Sequence, residues 1–160
     1  MTRYLLITGL LACASLATYA QSSAPKVCPW VTQGSAAKAL GGEVSATIEI
    51  SESGEGSCSF TRITDSAITL SIVVSKSTLL SCGADGTALK GIGNEAARCT
   101  IPGSDSGSKN QEAEMISARV RDMHFTITLK TNEPDNPGKP ADPHDDDLEH
   151  IAEAVAGNLF

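Results

Sequence analysis

Alternating apolar and polar residues predict β-strands in the first half of the chain. From Val44 to Ser51, valine, alanine and isoleucine alternate with serine, threonine and glutamate, which is the period of two expected of a strand with one buried face. The same alternation runs through Ser57–Ile63 and Ile68–Ser75. Short turn-forming sequences at Glu52–Gly56 and Asp65–Ser66 separate the three segments. Three strands joined by tight turns predict an antiparallel meander.

A second group of strands is predicted further along the chain. Glu112–Arg121 and His124–Lys130 form a hairpin around Asp122–Met123, and Glu95–Ile101 is a further short strand. The buried sets of the hairpin are three residues from each strand, namely Ile116, Ala118 and Val120 opposite Phe125, Ile127 and Leu129. The stretches between strands are a loop with some helix at Ser77–Leu89, a polar loop at Pro102–Asn110 and a proline-rich connection at Thr131–Ala141.

Helical patterns lie before and after these strands. Val31–Leu40 predicts a short helix that ends at Gly41-Gly42. Near the C-terminus, Asp142 can cap a second helix, Pro143 suits its first position, and Asp145–Asp147 place negative charge in its first turn. The apolar stripe of that helix comprises Leu148, Ile151, Ala152, Val155 and Leu159.

Strands bracketed by helices predict an α+β fold. We expect an antiparallel β-sheet with an N-terminal helix and a C-terminal amphipathic helix packed on one face. The other face is rich in serine and threonine, as is usual for an antiparallel sheet with one solvated side. A ligand surface on that polar face is the alternative interpretation.

The first 20 residues have the layout of a secretory signal peptide. Met1–Arg3 is a short cationic start, and Tyr4–Ala12 is an apolar run too short to span a bilayer. Small residues precede a predicted cleavage after Ala20. An alternative is a bacterial lipobox at Leu10–Cys13, in which Cys13 becomes the lipidated first residue. Both predict an exported protein, periplasmic or extracellular, and the second anchors it to a membrane through Cys13.

The remainder of the chain predicts one domain. Residues 21–27 are expected to be a flexible lead-in, and residues 28–160 a single exported α+β domain with no transmembrane segment. That length is sufficient to bury a core, so cross-links would supplement the core rather than replace it.

Four of the five cysteines lie in the predicted domain, at positions 28, 58, 82 and 99. An even number of cysteines in an exported protein is typical of disulfide bonds. Four cysteines allow three pairings. Among these, Cys28–Cys58 and Cys82–Cys99 are favoured because they are sequential and close short loops. The absence of a Cys-x-x-Cys motif argues against both a zinc site and a redox pair.

Composition argues against nucleic acid as a partner. The formal net charge is −7, and cleavage after Ala20 would remove one arginine and no acidic residue. Phosphate backbones and anionic lipid surfaces repel such a chain. Four aromatic side chains remain in the predicted domain and are expected in its core: Trp30, Phe60, Phe125 and Phe160. That leaves little surface on which bases or sugars can stack.

No cofactor or metal site is predicted. Gly91-x-Gly93-x-x-Ala96 superficially fits a dinucleotide fingerprint, but a strand follows it, so we expect a tight glycine turn. His144 and His150 point in different directions from the last helix and cannot share a metal ion. His150 is expected to form a solvated pair with Asp146 or Glu153. Four residues near that helix carry side-chain oxygens that could bind calcium, but they lack the ordered spacing of a calcium loop: Asp135, Asn136, Asp142 and Asp145.

No catalytic residues are predicted either. His124 follows the hairpin turn beside Asp122, but the chain has no Gly-x-Ser-x-Gly motif. A Ser-His-Asp triad can be assembled on paper from any chain this rich in serine, and nothing in the sequence selects one.

A series of short motifs runs from Cys28 to the C-terminus. They are Cys28, Ala39-Leu40-Gly41, Cys58-Ser59-Phe60, Gly91–Ala96, and a C-terminal helix with an Ala-Val-Ala ending. Together they resemble a group of exported bacterial domains of unknown function, many of them lipoproteins, which are similar to the extracellular sensor domain of certain mycobacterial receptor kinases. The resemblance implies an antiparallel sheet with flanking helices and a Cys28–Cys58 link, and it implies no catalytic residue.

We therefore expect a non-enzymatic exported protein of the bacterial envelope. Its partner would be a small molecule, a lipid, an envelope polymer or another protein, and no cofactor is expected. The alternative is a small extracytoplasmic hydrolase or an inhibitor. A deep pocket with serine or histidine converging on it would favour that alternative, whereas a flat polar sheet with exposed histidines would disfavour it.

Overall fold

The computed structural model describes residues 27–102, 112–131 and 144–160. The predictions for the signal peptide, Cys13 and most of the lead-in lie outside these residues. Several other predictions also lie outside the described residues. They concern most of the polar loop, the proline-rich connection after its first residue, the capping residues Asp142 and Pro143, and a calcium site at Asp135 and Asn136. Across the described ranges, no helix is long and apolar enough to cross a membrane.

In the described residues, seven strands form one antiparallel sheet, and two α-helices accompany it. The elements in chain order are α1 (Gln33–Ala39), β1 (Val44–Ile50), β2 (Gly56–Arg62), β3 (Asp65–Ser75), β4 (Thr87–Ala88), β5 (Glu95–Pro102), β6 (Glu112–Val120), β7 (Met123–Lys130) and α2 (His144–Leu159). The spatial order is β1-β2-β3-β7-β6-β5-β4, and all neighbouring strands pair antiparallel. The predicted α+β class and antiparallel sheet are confirmed.

The predicted meander is formed by β1, β2 and β3, with one correction to its second turn. The turn occupies Ile63 and Thr64, whereas the sequence placed it at Asp65–Ser66. Asp65 already belongs to β3 because it pairs with Arg62 across an irregularity in the register, and the two side chains approach to 3.5 Å. Ile63 is therefore left exposed at the tip of the hairpin.

The predicted hairpin is formed by β6 and β7. Its six expected core residues, Ile116, Ala118, Val120, Phe125, Ile127 and Leu129, are all buried. The turn is Arg121–Asp122, one residue earlier than predicted, with Arg121 in the left-handed region at φ 56°. The sequence missed β4, which pairs with β5 after a single 3₁₀ turn at Gly83–Asp85.

The helices bury their apolar residues beside the sheet. In α1 the Thr32 side chain caps the N-terminus by accepting from the Ser35 N–H at 3.0 Å. In α2 four of the five predicted stripe residues are buried and Leu159 packs against the core from its edge. The Asn158 side chain donates to the carbonyl of Trp30 at 3.0 Å and so fixes the end of α2 to the chain before α1.

Three of the four aromatic residues of the described domain are buried as predicted. The expectation for Phe160 was wrong, since its side chain is 64% exposed beyond the end of α2. Its ring lies 5.5 Å from the guanidinium carbon of Arg121, so it contacts the turn between β6 and β7 rather than the core.

Both disulfides follow the sequential pairing, Cys28 with Cys58 and Cys82 with Cys99. They lie on opposite faces of the sheet, because Cys58 shares its row with Ile72 and Ile127, whereas Cys99 is paired with Met115 in a row of the other face. The first disulfide is buried in the core, and the second ties the segment before β4 to β5.

Candidate functional site

One face of the sheet carries rows of hydroxyl side chains. Directly paired residues of an antiparallel sheet share a face, so the strand register defines these rows. The central row consists of Thr47, Ser59, Ser71 and Thr128 on four successive strands. The rows on either side add Ser45, Thr61 and Thr69, and Ser57, Thr126 and Ser117. This is the polar face that the sequence predicted.

A groove lies at one end of the polar face and has a volume of about 330 Å³. The segment Thr78–Gly83 forms one wall of this groove. Three stretches of the sheet complete it, Glu95–Ala97 from β5, Ser117–Arg119 from β6 and His124–Phe125 from β7. The groove is open to solvent, and its volume is at the small end of the range for ligand sites.

A row of four polar residues crosses the sheet at the groove. Ser75 of β3 is paired with His124 of β7, His124 with Arg119 of β6, and Arg119 with Glu95 of β5. Neighbours across an antiparallel pair are about 4.5–5.5 Å apart at Cβ, so a ligand in the groove can contact several of them at once. The row provides a hydroxyl, an imidazole, a guanidinium and a carboxylate.

The charged end of this row is an ion pair at the edge of the groove. Arg119 Nη2 donates to Glu95 Oε1 at 2.8 Å, and the side chains are 38% and 74% exposed. The hydrogen bond from Arg119, assisted by its charge and by His124, holds the pKa of the Glu95 carboxyl below its ordinary value. Glu95 is therefore ionised at neutral pH, and the groove presents one positive and one negative group side by side.

The glycine turn before β5 supports the backbone of Arg119. Gly93 has a φ of +63°, and a Cβ at this position would lie 2.5 Å from the Arg119 carbonyl oxygen. Asn94 donates from its backbone N–H to the same oxygen at 2.7 Å and accepts from the Arg121 N–H at 2.8 Å. The predicted tight turn leading into a strand is confirmed, and its effect is to hold β6 against β5 at the groove.

The wall of the groove is held by the Cys82–Cys99 disulfide. The Sγ of Cys82 lies 3.3 Å from the carbonyl oxygen of Ala97, and a Cβ on Gly86 would come within 2.6 Å of the Cys82 Cβ. The segment is thus packed directly on β5. It contributes apolar surface, since Leu79 is half-buried and Leu80 is 65% exposed.

The hydroxyl and imidazole in the polar row do not form a catalytic pair. Ser75 Oγ donates to Glu55 Oε1 at 3.1 Å and accepts from the Ser77 N–H at 3.0 Å. Nucleophilic activation of a serine needs a histidine that accepts the hydroxyl proton. Within the residues that the structure describes, no hydrogen bond joins Ser75 to His124, and the Ser75 hydroxyl is directed to Glu55 instead.

The other two histidines, His144 and His150, belong to α2. His150 of α2 is 3.3 Å from Glu153, and both side chains are mostly exposed, as expected of a solvated pair. His144 begins α2, and its side chain and that of Asp145 lie outside what the structure describes. In the described part of the chain, no three histidine, cysteine or acidic side chains converge in a way that can hold a metal ion.

The sequence pattern placed His124 just after the hairpin turn but did not predict which residues lie beside it. A signal was present within the predicted hairpin, because a two-residue turn after Val120 places Arg119 opposite His124. The pairing of Ser75 with His124 joins strands separated by some 50 positions, and the position of residues 78–83 depends on a disulfide. Neither of these can be obtained from local patterns.

Comparisons with protein-family models, with curated proteins and with solved structures found no match for this chain.

Proposed function

We propose that this chain is a non-enzymatic, exported binding module of the bacterial envelope, and that its ligand is a small amphipathic molecule carrying an anionic group. The groove at the end of the polar face is the observation that carries the proposal. Two disulfides are typical of proteins that fold outside the cytoplasm and support export. The resemblance to exported envelope domains supports the envelope as its location.

The packing of the helices supports a binding role for the polar face. The buried residues of α1 and α2 belong to the same apolar core as Cys58, Ile72 and Ile127. With both helices on that face, the opposite face keeps its hydroxyl rows and its groove. The polar face then serves as the recognition surface, and the helices and the Cys28–Cys58 disulfide keep the sheet rigid beneath it.

The side chains of the groove determine the expected ligand chemistry. Arg119 offers a planar guanidinium with several N–H donors, the group best suited to carboxylates and phosphates, and the neighbouring His124 adds a polar contact. Leu79, Leu80 and Ala97 offer apolar surface on the other side. A ligand with an anionic group and a short apolar portion satisfies both sides.

Charge substitutions at the ion pair test the sign of the ligand charge. Glu95→Gln removes the negative neighbour of Arg119 and should tighten binding of an anionic ligand, whereas Arg119→Gln should weaken it. Each effect should be a few-fold, because both groups are partly exposed and screened by solvent. Decanoate, titrated into ¹⁵N-labelled protein, is a suitable probe, with shift changes expected at Ala97, Ser117 and His124.

A pair of matched substitutions tests the location. Ser117→Tyr fills the groove, whereas Ser59→Tyr places the same side chain on the same face outside it. Native mass spectrometry of unreduced protein recovered from the envelope should show a retained ligand in the wild type and in Ser59→Tyr, but not in Ser117→Tyr. The proposal fails if the groove variant keeps the ligand, or if the wild type neither carries a ligand nor responds to decanoate.

A further inference from the structure

The two edges of the sheet differ in how they are protected. At one edge, β4 is only two residues long. At the other edge, β1 runs for seven residues, Val44–Ile50, and has no proline, no lysine and no irregularity in its register with β2. Long regular edge strands present unpaired backbone groups to which another strand can add. The side chains of Ser45, Ala46 and Thr47 alternate between the two faces of the sheet, and all three residues are exposed. This edge is therefore accessible to solvent.

The backbone groups of β1 that face outward can be assigned from its flanking hydrogen bonds. The Glu43 carbonyl accepts from the Ile63 N–H at 2.9 Å, and the Ser51 N–H donates to the Glu55 carbonyl at 2.8 Å. Both bonds point toward β2, and the direction alternates along a strand. The odd-numbered residues of β1 therefore face β2, and the even-numbered residues face outward.

One of the outward carbonyls already has a partner within the chain. The side-chain amide of Gln33 donates to the carbonyl of Val44 at 2.7 Å, which closes that end of the edge. Among the described residues, none accepts from the outward N–H groups of Ala46, Ile48 and Ile50, and none donates to their outward carbonyls. These three residues offer three donors and three acceptors in a row.

We propose that β1 of a second copy of this chain pairs antiparallel with this edge and joins the two sheets into one. Centring the two-fold axis on Ile48 places Ile48 opposite its own copy and Ala46 opposite Ile50, which uses all the free groups and makes six backbone hydrogen bonds. A register centred on Thr47 would also need the Val44 carbonyl, which already accepts from Gln33. The Gln33 contact therefore favours the register centred on Ile48.

The side chains of β1 are complementary to themselves in this register. Ile48 and Ile50 are half-buried at the border of the core, and in the dimer each would pack against apolar residues of the other copy. On the polar face, Thr47 meets Glu49 and Ser45 meets Ser51, so the single acidic residue of the strand does not oppose itself. Apolar and polar residues thus match on both faces, which favours a second copy over an unrelated strand.

The net charge of the chain predicts how dimerisation should depend on salt concentration. Two copies that each carry a formal charge of −7 repel one another at long range. Self-association through uncharged backbone groups should therefore become stronger as salt is added, whereas an interface held by ion pairs would become weaker.

Sedimentation velocity and amide hydrogen exchange on the exported, disulfide-bonded protein test this proposal. A monomer–dimer equilibrium that strengthens with salt is expected. Protection of the Ala46, Ile48 and Ile50 amides should increase with protein concentration. The amides of Thr47 and Glu49, which face β2, should not change and provide an internal control.

Ala46→Pro removes an outward N–H at an edge position where proline is tolerated. It should weaken dimerisation roughly tenfold, since the symmetric dimer loses two hydrogen bonds, while the monomer stays folded by circular dichroism. A protein that stays monomeric at every concentration overturns the proposal, as does a dimer unaffected by Ala46→Pro. Outward amides that are protected at all concentrations would show instead that another segment of the same chain covers β1.

Discussion

Substitution of Gly93 by alanine should be one of the most damaging single-methyl changes in this domain. Gly93 has a φ of +63°, in the left-handed region, where a side chain costs about 1–2 kcal/mol. The added Cβ would also lie 2.5 Å from the Arg119 carbonyl oxygen and 2.8 Å from a methyl of Val120. Since these atoms belong to the β6 backbone and to the core, they cannot move aside without cost.

Gly91→Ala is the matched control for this change. Gly91 has a φ of +86° in the same turn, but a Cβ there meets nothing within 4 Å. Both variants lose the same backbone freedom in the unfolded chain, so that contribution cancels. Gly91→Ala should cost about 1–2 kcal/mol from backbone strain alone. Gly93→Ala should cost a further 1–3 kcal/mol, roughly the penalty for overpacking.

Equilibrium urea unfolding with intact disulfides measures both values, and an unchanged slope would show that the variants unfold the same amount of surface. Equal losses in the two variants would refute the argument from close contact. Because Gly93 supports the backbone of Arg119, Gly93→Ala should also weaken decanoate binding in the groove, whereas Gly91→Ala should leave it unchanged.

Three further predictions concern the rest of the domain. Hydrogen bonds from the Lys76 N–H and from the hydroxyls of Ser53 and Ser75 hold the pKa of Glu55 below its ordinary value. The stabilisation from Glu55 is therefore complete at pH values above the ordinary pKa of a glutamate. It is lost as the pH falls through the lowered pKa of Glu55 in the folded protein. Glu55→Gln should flatten the acid side of a stability-against-pH curve, whereas Glu52→Gln, at an exposed position in the same turn, should not. Thr32→Ala removes the N-cap of α1 and should lower the free energy of unfolding by about 1 kcal/mol in urea titrations, and an unchanged midpoint would contradict a role for the cap. Replacing Cys82 and Cys99 together by serine should cost about 3 kcal/mol and release the wall of the groove, so decanoate binding should be lost under conditions where far-ultraviolet circular dichroism still reports a folded sheet.

The strands were predictable where their two faces differ in polarity. In β2 the alternation of Cys58 and Phe60 with Ser59 and Thr61 already assigns the buried face, and burial confirms it. The hairpin of β6 and β7 was equally clear, because both strands carry apolar residues at every second position. Each of these assignments depends only on residues within one segment.

The predictions from sequence were wrong where a contact with a residue outside the segment determines its structure. Asp65 belongs to β3 because it pairs with Arg62, so the turn lies two residues closer to the N-terminus than predicted. Strand β4 contains two residues and has no pattern of its own, and it exists because β5 pairs with it. Phe160 looks like a core residue by composition, but α2 ends before it, and Arg121 is the partner within its reach.

The candidate site likewise depends on contacts between segments that are distant in the sequence. Ser75, His124, Arg119 and Glu95 come from four strands, and only the order β3-β7-β6-β5 places them in one row. The wall at residues 78–83 lies over β5 because a disulfide connects positions 82 and 99. The sequence by itself determined the fold class, the strand faces and the favoured disulfides, since these follow from short-range periodicity and loop length. The tertiary structure alone decided the groove, because its residues are distant in the chain and meet only through long-range strand pairing.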